Sequence, residues 1–179
     1  MTYRLLAAVF LAFALAGAAR AVPAAPAVGP EALRGAGPQA AMVIADRWGA
    51  VKAGVTSFVT SRAVSFKFAD GRTVETPLGG RMLVAIAPYE TFTHPCGTHY
   101  MSSCKAEFPD AAFKVTARDA GGKVAFSGSV KTAYNGFLEL WLPRDKVYSV
   151  TVAGRGKTTG GLVSTTADAQ TCVTTFKLQ

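Results

Sequence analysis

"NGFLELWLPRDKVYSVTVAG" (residues 135–154) decides the fold class of this chain. Asn-Gly marks a tight turn, because both residues tolerate the left-handed backbone that such turns use. Behind it, Leu138, Leu140 and Leu142 recur at every second position, with Phe137, Glu139 and Trp141 on the opposite face. Pro143 to Lys146 interrupt the run. Tyr148, Val150 and Val152 then alternate with Ser149 and Thr151. A period of two puts one side of an extended chain in a core, whereas a helix needs spacings of three and four. The stretch is a strand, a turn and a second strand.

The same pattern extends outward in both directions. "AFKVTARD" (112–119), "AGG" and "KVAFSGSV" (123–130) make a hairpin, and "TCVTTFKL" (171–178) is a last strand. Strand period puts Cys172 on the face of Phe176 and Leu178, pointing into a sandwich or its end. Upstream, "AVSFKFADGRTVET" (63–76) alternates around Asp70-Gly71, which reads as a two-residue hairpin turn. "RMLVAIAP" (81–88) is more continuously apolar and predicts a better buried strand. Short strands with turns every eight to twelve residues predict a mainly β chain built as an antiparallel β-sandwich. Before it, Pro38 at a first helical position and the Ala-rich stretch 39–48, with Ile44 and Trp48 one turn apart, predict a short helix. A further helical turn is expected around residues 31–34.

At the N-terminus, Arg4, an apolar run from Leu5 to Ala16 and the triplet Ala19-Arg20-Ala21 have the layout of a secretory leader cleaved after Ala21. The apolar run is too short for a permanent membrane span, and no cysteine near the cut offers a lipid anchor. The expected organisation is therefore a signal peptide (1–21), a linker and short helical segment (22–54) and a small N-terminal β region (55–92). A Cys/His loop with the C-terminal sandwich (93–179) completes it. Loss of Arg4 and Arg20 with the leader lowers the formal charge from +8 to +6. The remaining cations are spread from Arg34 to Lys177 and do not interleave with aromatics, which speaks against nucleic acid as a partner.

The chemistry concentrates in "THPCGTHYMSSCKAEF" (93–108), which holds two of three cysteines and both histidines. Three cysteines in an exported chain leave at least one unpaired. One reading is a Cys96–Cys104 disulfide with Cys172 as a buried thiol in a non-metal interaction module. A second is a thiol-exchange pair, although seven residues separate Cys96 from Cys104 where such pairs sit close together. The third is a metal site of Cys96, Cys104 and Cys172, with His94 or His99 as auxiliary ligand. Three thiolates suit Cu(I), and Cys₃His suits zinc equally well. Ionising a thiol at pH 7 costs about 2 kcal/mol, so three cost about 6, which only a strongly thiophilic metal offsets. There is no Gly-x-Ser-x-Gly, no phosphate-cradling Gly-rich helix start and no carboxylate pair placed at a histidine. The expectation is a binding protein, not an enzyme, and Glu107 reads as a loop hydrogen-bonder.

Three blocks, "APYETFTHPCGTHYMSSCKAEF" (87–108), "NGFLELWLPRD" (135–145) and "STTADAQTCVTTFKL" (164–178), resemble the CueP family of exported copper-binding proteins. The resemblance runs from about Leu83 to the end and places the cysteines inside its blocks. It implies a periplasmic protein that binds Cu(I) through Cys96, Cys104 and Cys172, for buffering and resistance. It also implies delivery to a cuproenzyme, with a periplasmic superoxide dismutase as one recipient. Because an empty site in an oxidising compartment can close into a disulfide, a periplasmic thiol reductant or isomerase is the expected second partner. "GFLELWLPRDKVYSVTV" (136–152) further resembles the strand-turn-strand of transthyretin-like and carboxypeptidase-regulatory-like sandwiches, which bears on fold alone, and the expected sandwich is transthyretin-like or immunoglobulin-like.

Overall fold

The computed structural model describes residues 27–179; the expected leader and the start of the expected linker lie outside them. A 3-10 turn, Pro30–Leu33, precedes helix α1, Pro38–Ala50, with Pro38 in its first turn as expected. Ten strands follow: β1 Thr56–Val59, β2 Ala63–Lys67, β3 Thr73–Pro77, β4 Arg81–Tyr89, β5 Ala112–Asp119, β6 Val124–Lys131, β7 Leu138–Pro143, β8 Val147–Gly154, β9 Lys157–Ser164 and β10 Cys172–Lys177. They form three sheets, ordered β1-β2-β3, β10-β4-β7 and β6-β5-β8-β9.

The second and third sheets make the sandwich. Val84 and Ile86 of β4, Leu138, Leu140 and Leu142 of β7 and Phe176 of β10 pack against Phe113, Val115 and Ala117 of β5 and Tyr148, Val150 and Val152 of β8. The alternation read in residues 138–152 is thus the two inner faces of the sandwich. The outer face of the central sheet is covered in turn. Leu83 of β4 joins Ala41, Met42, Ala45 and Trp48 of α1 and Val59, Val64 and Phe66 of the first sheet. With both its faces covered, β4 is apolar throughout, as strands between two layers are. Although it falls in the segment 55–92, it is the central strand of the middle sheet.

Three details differ from the expectation. The Asp70-Gly71 hairpin has a three-residue loop: Phe68 N–H donates to the Arg72 carbonyl (2.9 Å) and Gly71 N–H to the Phe68 carbonyl (3.0 Å). Gly71 has φ 86°, the left-handed residue that closes such loops and that costs glycine least. The β5–β6 hairpin repeats this around Gly122, with φ 80°. Second, β10 runs parallel to β4, pairing Cys172 with Ala85 and Lys177 with Tyr89, so the sandwich is not wholly antiparallel. Parallel pairing requires a long crossover, and everything between β4 and β10 supplies it. Third, a register shift between Val173 and Phe176 interrupts β10. This bulge inverts the side-chain phase. Cys172 therefore does not share a face with Phe176 and Leu178; it lies on the outer face with Ala85, Ala87 and Phe137.

Trp48 ties the helix to the first sheet through edge-on contacts with Phe66 (5.7 Å) and Phe68 (5.9 Å). Truncating a fully buried indole removes its transfer energy and leaves a cavity. Trp48→Ala is expected to destabilise the fold by about 3–5 kcal/mol, read as a lower urea midpoint at unchanged slope. A loss below about 1 kcal/mol would mean that α1 is not part of the cooperative unit.

Candidate metal centre

The outer face of the central sheet carries the loop 90–111 directly over Cys172. Its two ends are pinned by Glu107, whose carboxylate accepts from the backbone N–H groups of Glu90 (2.8 Å), Thr91 (3.0 Å) and Phe92 (3.3 Å) and from the Thr91 hydroxyl (2.7 Å). Burial pushes its pKa up, but these bonds outweigh that and bring it down to about 2. The loop hydrogen-bonder expected at this position is present. The middle is anchored by Thr171: its hydroxyl accepts from His99 N–H (3.1 Å) and donates to the Val59 carbonyl (2.6 Å). Thr171 and Cys172 N–H both donate to the Gly97 carbonyl. A tight turn, with Cys104 N–H donating to the Tyr100 carbonyl at 2.8 Å, swings Cys104 back toward Cys96.

The result brings all three cysteines into one cluster. Cys96 and Cys104 sulfurs are 3.6 Å apart, and both pack on the patch of Cys172 and Phe137. All three are free thiols. Two overlapping ligand sets have their donor atoms within 4.8 Å of one another: His94, Cys96 and Cys104 on the open side, and His99, Cys104 and Cys172 on the buried side. Cys104 belongs to both. The Phe137 ring is 4.5 Å from the His99 ring and 6.4 Å from that of His94. His99 is fully buried, yet neither ring nitrogen has a hydrogen-bond partner. Buried polar atoms are almost always paired, so an imidazole left bare beside two sulfurs fits a ligand-holding role.

A family model for the periplasmic copper-binding protein CueP matches residues 46–177. The chain belongs to the CueP family. No curated protein matches it. The crystal structure of S.CueP is similar at 32% identity over 70% of this chain and 78% of that one, with a TM-score of 0.67. The CueP match starts within α1 and so takes in the first sheet, the loop and the sandwich together. No helix among the described residues is long and apolar enough to cross a membrane.

In this member of the CueP family the cluster is electrostatically uneven. Hydrogen bonding from Cys172 holds the Cys104 thiol down at about 3 against the opposing effect of burial, with the Tyr100 N–H (3.3 Å) assisting. Cys172 is pushed up, first because it gives its proton to Cys104 and then by burial. Burial also raises Cys96, whose thiol donates to the Thr98 carbonyl at 3.1 Å. One anion, on Cys104, is thus ready for a cation while two sulfurs keep their protons.

Behind His99 stand two carboxyls that the sequence pattern did not flag. Glu139 of β7 presents Oε1 at 3.9 Å from His99 Nε2, and it hydrogen-bonds to Asp46 of α1. Burial raises both, Asp46 to about 6. Glu139 carries the shared proton and donates it to Asp46. A signal was available: Glu139 is the one charged residue between Phe137 and Trp141 on a covered strand face. Asp46 offered none, because only the packing of α1 on the sheet brings it there.

Proposed function

We propose that this protein takes up one Cu(I) through the thiolates of Cys96, Cys104 and Cys172, with His99 as a further donor from the buried side. The observation that carries this reading is the convergence of the loop sulfurs on Cys172 of the last strand, a set of soft donors suited to a monovalent d¹⁰ ion. His94 and Cys96 sit at the more open edge, where an incoming thiolate could displace ligands one at a time. That arrangement suits a carrier, which buffers copper and hands it to a cuproenzyme such as a periplasmic superoxide dismutase. The chemistry is stoichiometric binding rather than turnover. Residues 1–21 serve as the export signal, cleaved after Ala21.

The 3.6 Å between the Cys96 and Cys104 sulfurs supports a linked proposal. An oxidant that removes two electrons from the empty pair, with loss of the one proton on Cys96, would join them, so the apo protein depends on a thiol reductant or isomerase to stay competent. Anaerobic competition against a Cu(I) chelator, with thiol alkylation followed by mass spectrometry, tests both. Expected are one tightly held copper per chain and three thiols protected from alkylation when it is bound. Equal labelling of apo and loaded protein, or preference for Zn²⁺ over Cu(I), would overturn the reading.

A further inference from the structure

The buried polar atoms behind the sulfurs form a connected problem. His99 Nδ1, His99 Nε2, Glu139 Oε1 and Asp46 Oδ1 all lack partners and all are shut off from solvent. Each such atom carries a desolvation penalty unless something pairs with it. Two of them face each other: Glu139 Oε1 and His99 Nε2, at 3.9 Å. They lie just beyond hydrogen-bond distance, and pairing them would satisfy both. That leaves Nδ1 as the unexplained atom, on a ring whose donor set includes Cys104 and Cys172. Glu139 is itself held, because its other end is hydrogen-bonded to Asp46 of the helix. The backbone of His99 is fixed independently by Thr171 (3.1 Å) and by the Val59 bridge (2.9 Å). Ring orientation is therefore the one freedom left to the residue.

We infer that Glu139, anchored by Asp46, is a positioning residue for metal binding: it accepts the Nε2–H of His99 and so leaves the Nδ1 lone pair for the cation held by the sulfurs. The inference rests on the thiolate reading above. Histidine ligands are commonly oriented by a carboxyl on the far nitrogen, and loss of that partner weakens metal affinity by roughly 10- to 100-fold. Here the carboxyl comes from β7 and its anchor from α1, so the helix and the central sheet both contribute to the site without supplying a ligand.

Two readouts test it. In ¹⁵N-labelled apo protein, long-range ¹H–¹⁵N spectra of the His99 ring are expected to show the proton on Nε2. Glu139→Gln, whose amide oxygen can still accept, is expected to keep that tautomer, and Glu139→Leu to lose it. In anaerobic Cu(I) competition, Glu139→Leu is expected to weaken binding about 10- to 100-fold, Glu139→Gln to recover most of the loss, and neither to add to the loss in a His99→Ala background. A proton on Nδ1 in the wild type, or an undiminished effect of Glu139→Leu in His99→Ala, would overturn the inference. So would Gln behaving no better than Leu. A wild type that holds no Cu(I) would instead sink the thiolate reading, while the apo spectra would still decide whether Glu139 orients the ring.

Discussion

Cys104→Ser is expected to weaken Cu(I) binding by a factor on the order of 10²–10³. A thiolate-rich structural site binds its metal with about 10–16 kcal/mol over four ligands, so each ligand accounts for about 3 kcal/mol. A serine hydroxyl does not ionise in this range and is a hard donor, so it replaces neither the charge nor the softness of the sulfur. Cys104 should be the most sensitive of the three positions, because it alone belongs to both ligand sets and alone has its thiol held down to about 3. Cys172→Ser should follow it. That variant keeps a hydroxyl able to hydrogen-bond Cys104, so the fold and the anion survive while the buried sulfur is lost. Anaerobic chelator competition measures the affinities, and circular dichroism checks that each variant is folded. Wild-type affinity in Cys172→Ser would confine any site to the loop and detach it from the last strand.

Strands such as β7 and β8 were legible because each buries one face and so writes a period of two, as in Leu138–Leu142 and Tyr148–Val152; β9, Lys157–Ser164, went unread because its Thr- and Gly-rich run writes no apolar alternation. Strand β4 was legible for the opposite reason: covered on both sides, it shows no alternation at all. What the pattern could not supply was phase across an irregularity. The bulge in β10 moves Cys172 to the outer face of the sheet, and a strict count of alternate residues assigns it to the wrong side. The convergence of sulfurs survives, since the loop folds over that outer face and not into the sandwich. The carboxyls behind His99 were hidden for a different reason. Asp46 and Glu139 are far apart along the chain, and only the docking of α1 on the central sheet makes them neighbours. Cysteine and histidine announce themselves by rarity, whereas an acidic residue is ordinary until its burial is known.

Cu(I) affinity should rise steeply with pH, the dissociation constant falling about 100-fold per unit over the neutral range. The argument is a proton count. Cys104 is already a thiolate above about pH 3, so it contributes no proton when the metal enters. Cys96 and Cys172 are both raised above the ordinary thiol value of 9.0, so each still carries its proton in the empty protein at neutral pH. Metal must displace both, since the thiolate is the ligand. Each displaced proton makes binding about tenfold tighter per unit of rising pH, and two give about 100-fold. The window opens above the low value of Cys104 and closes only where the two raised thiols ionise by themselves. Affinities measured between about pH 6 and 8, corrected for the chelator's own protonation, give the slope, and proton release in weakly buffered solution gives the same number directly. About two protons per copper are expected. Three would show that Cys104 is protonated in the free protein and that the cluster holds no ready anion; a value near zero would show that these thiols are not the ligands.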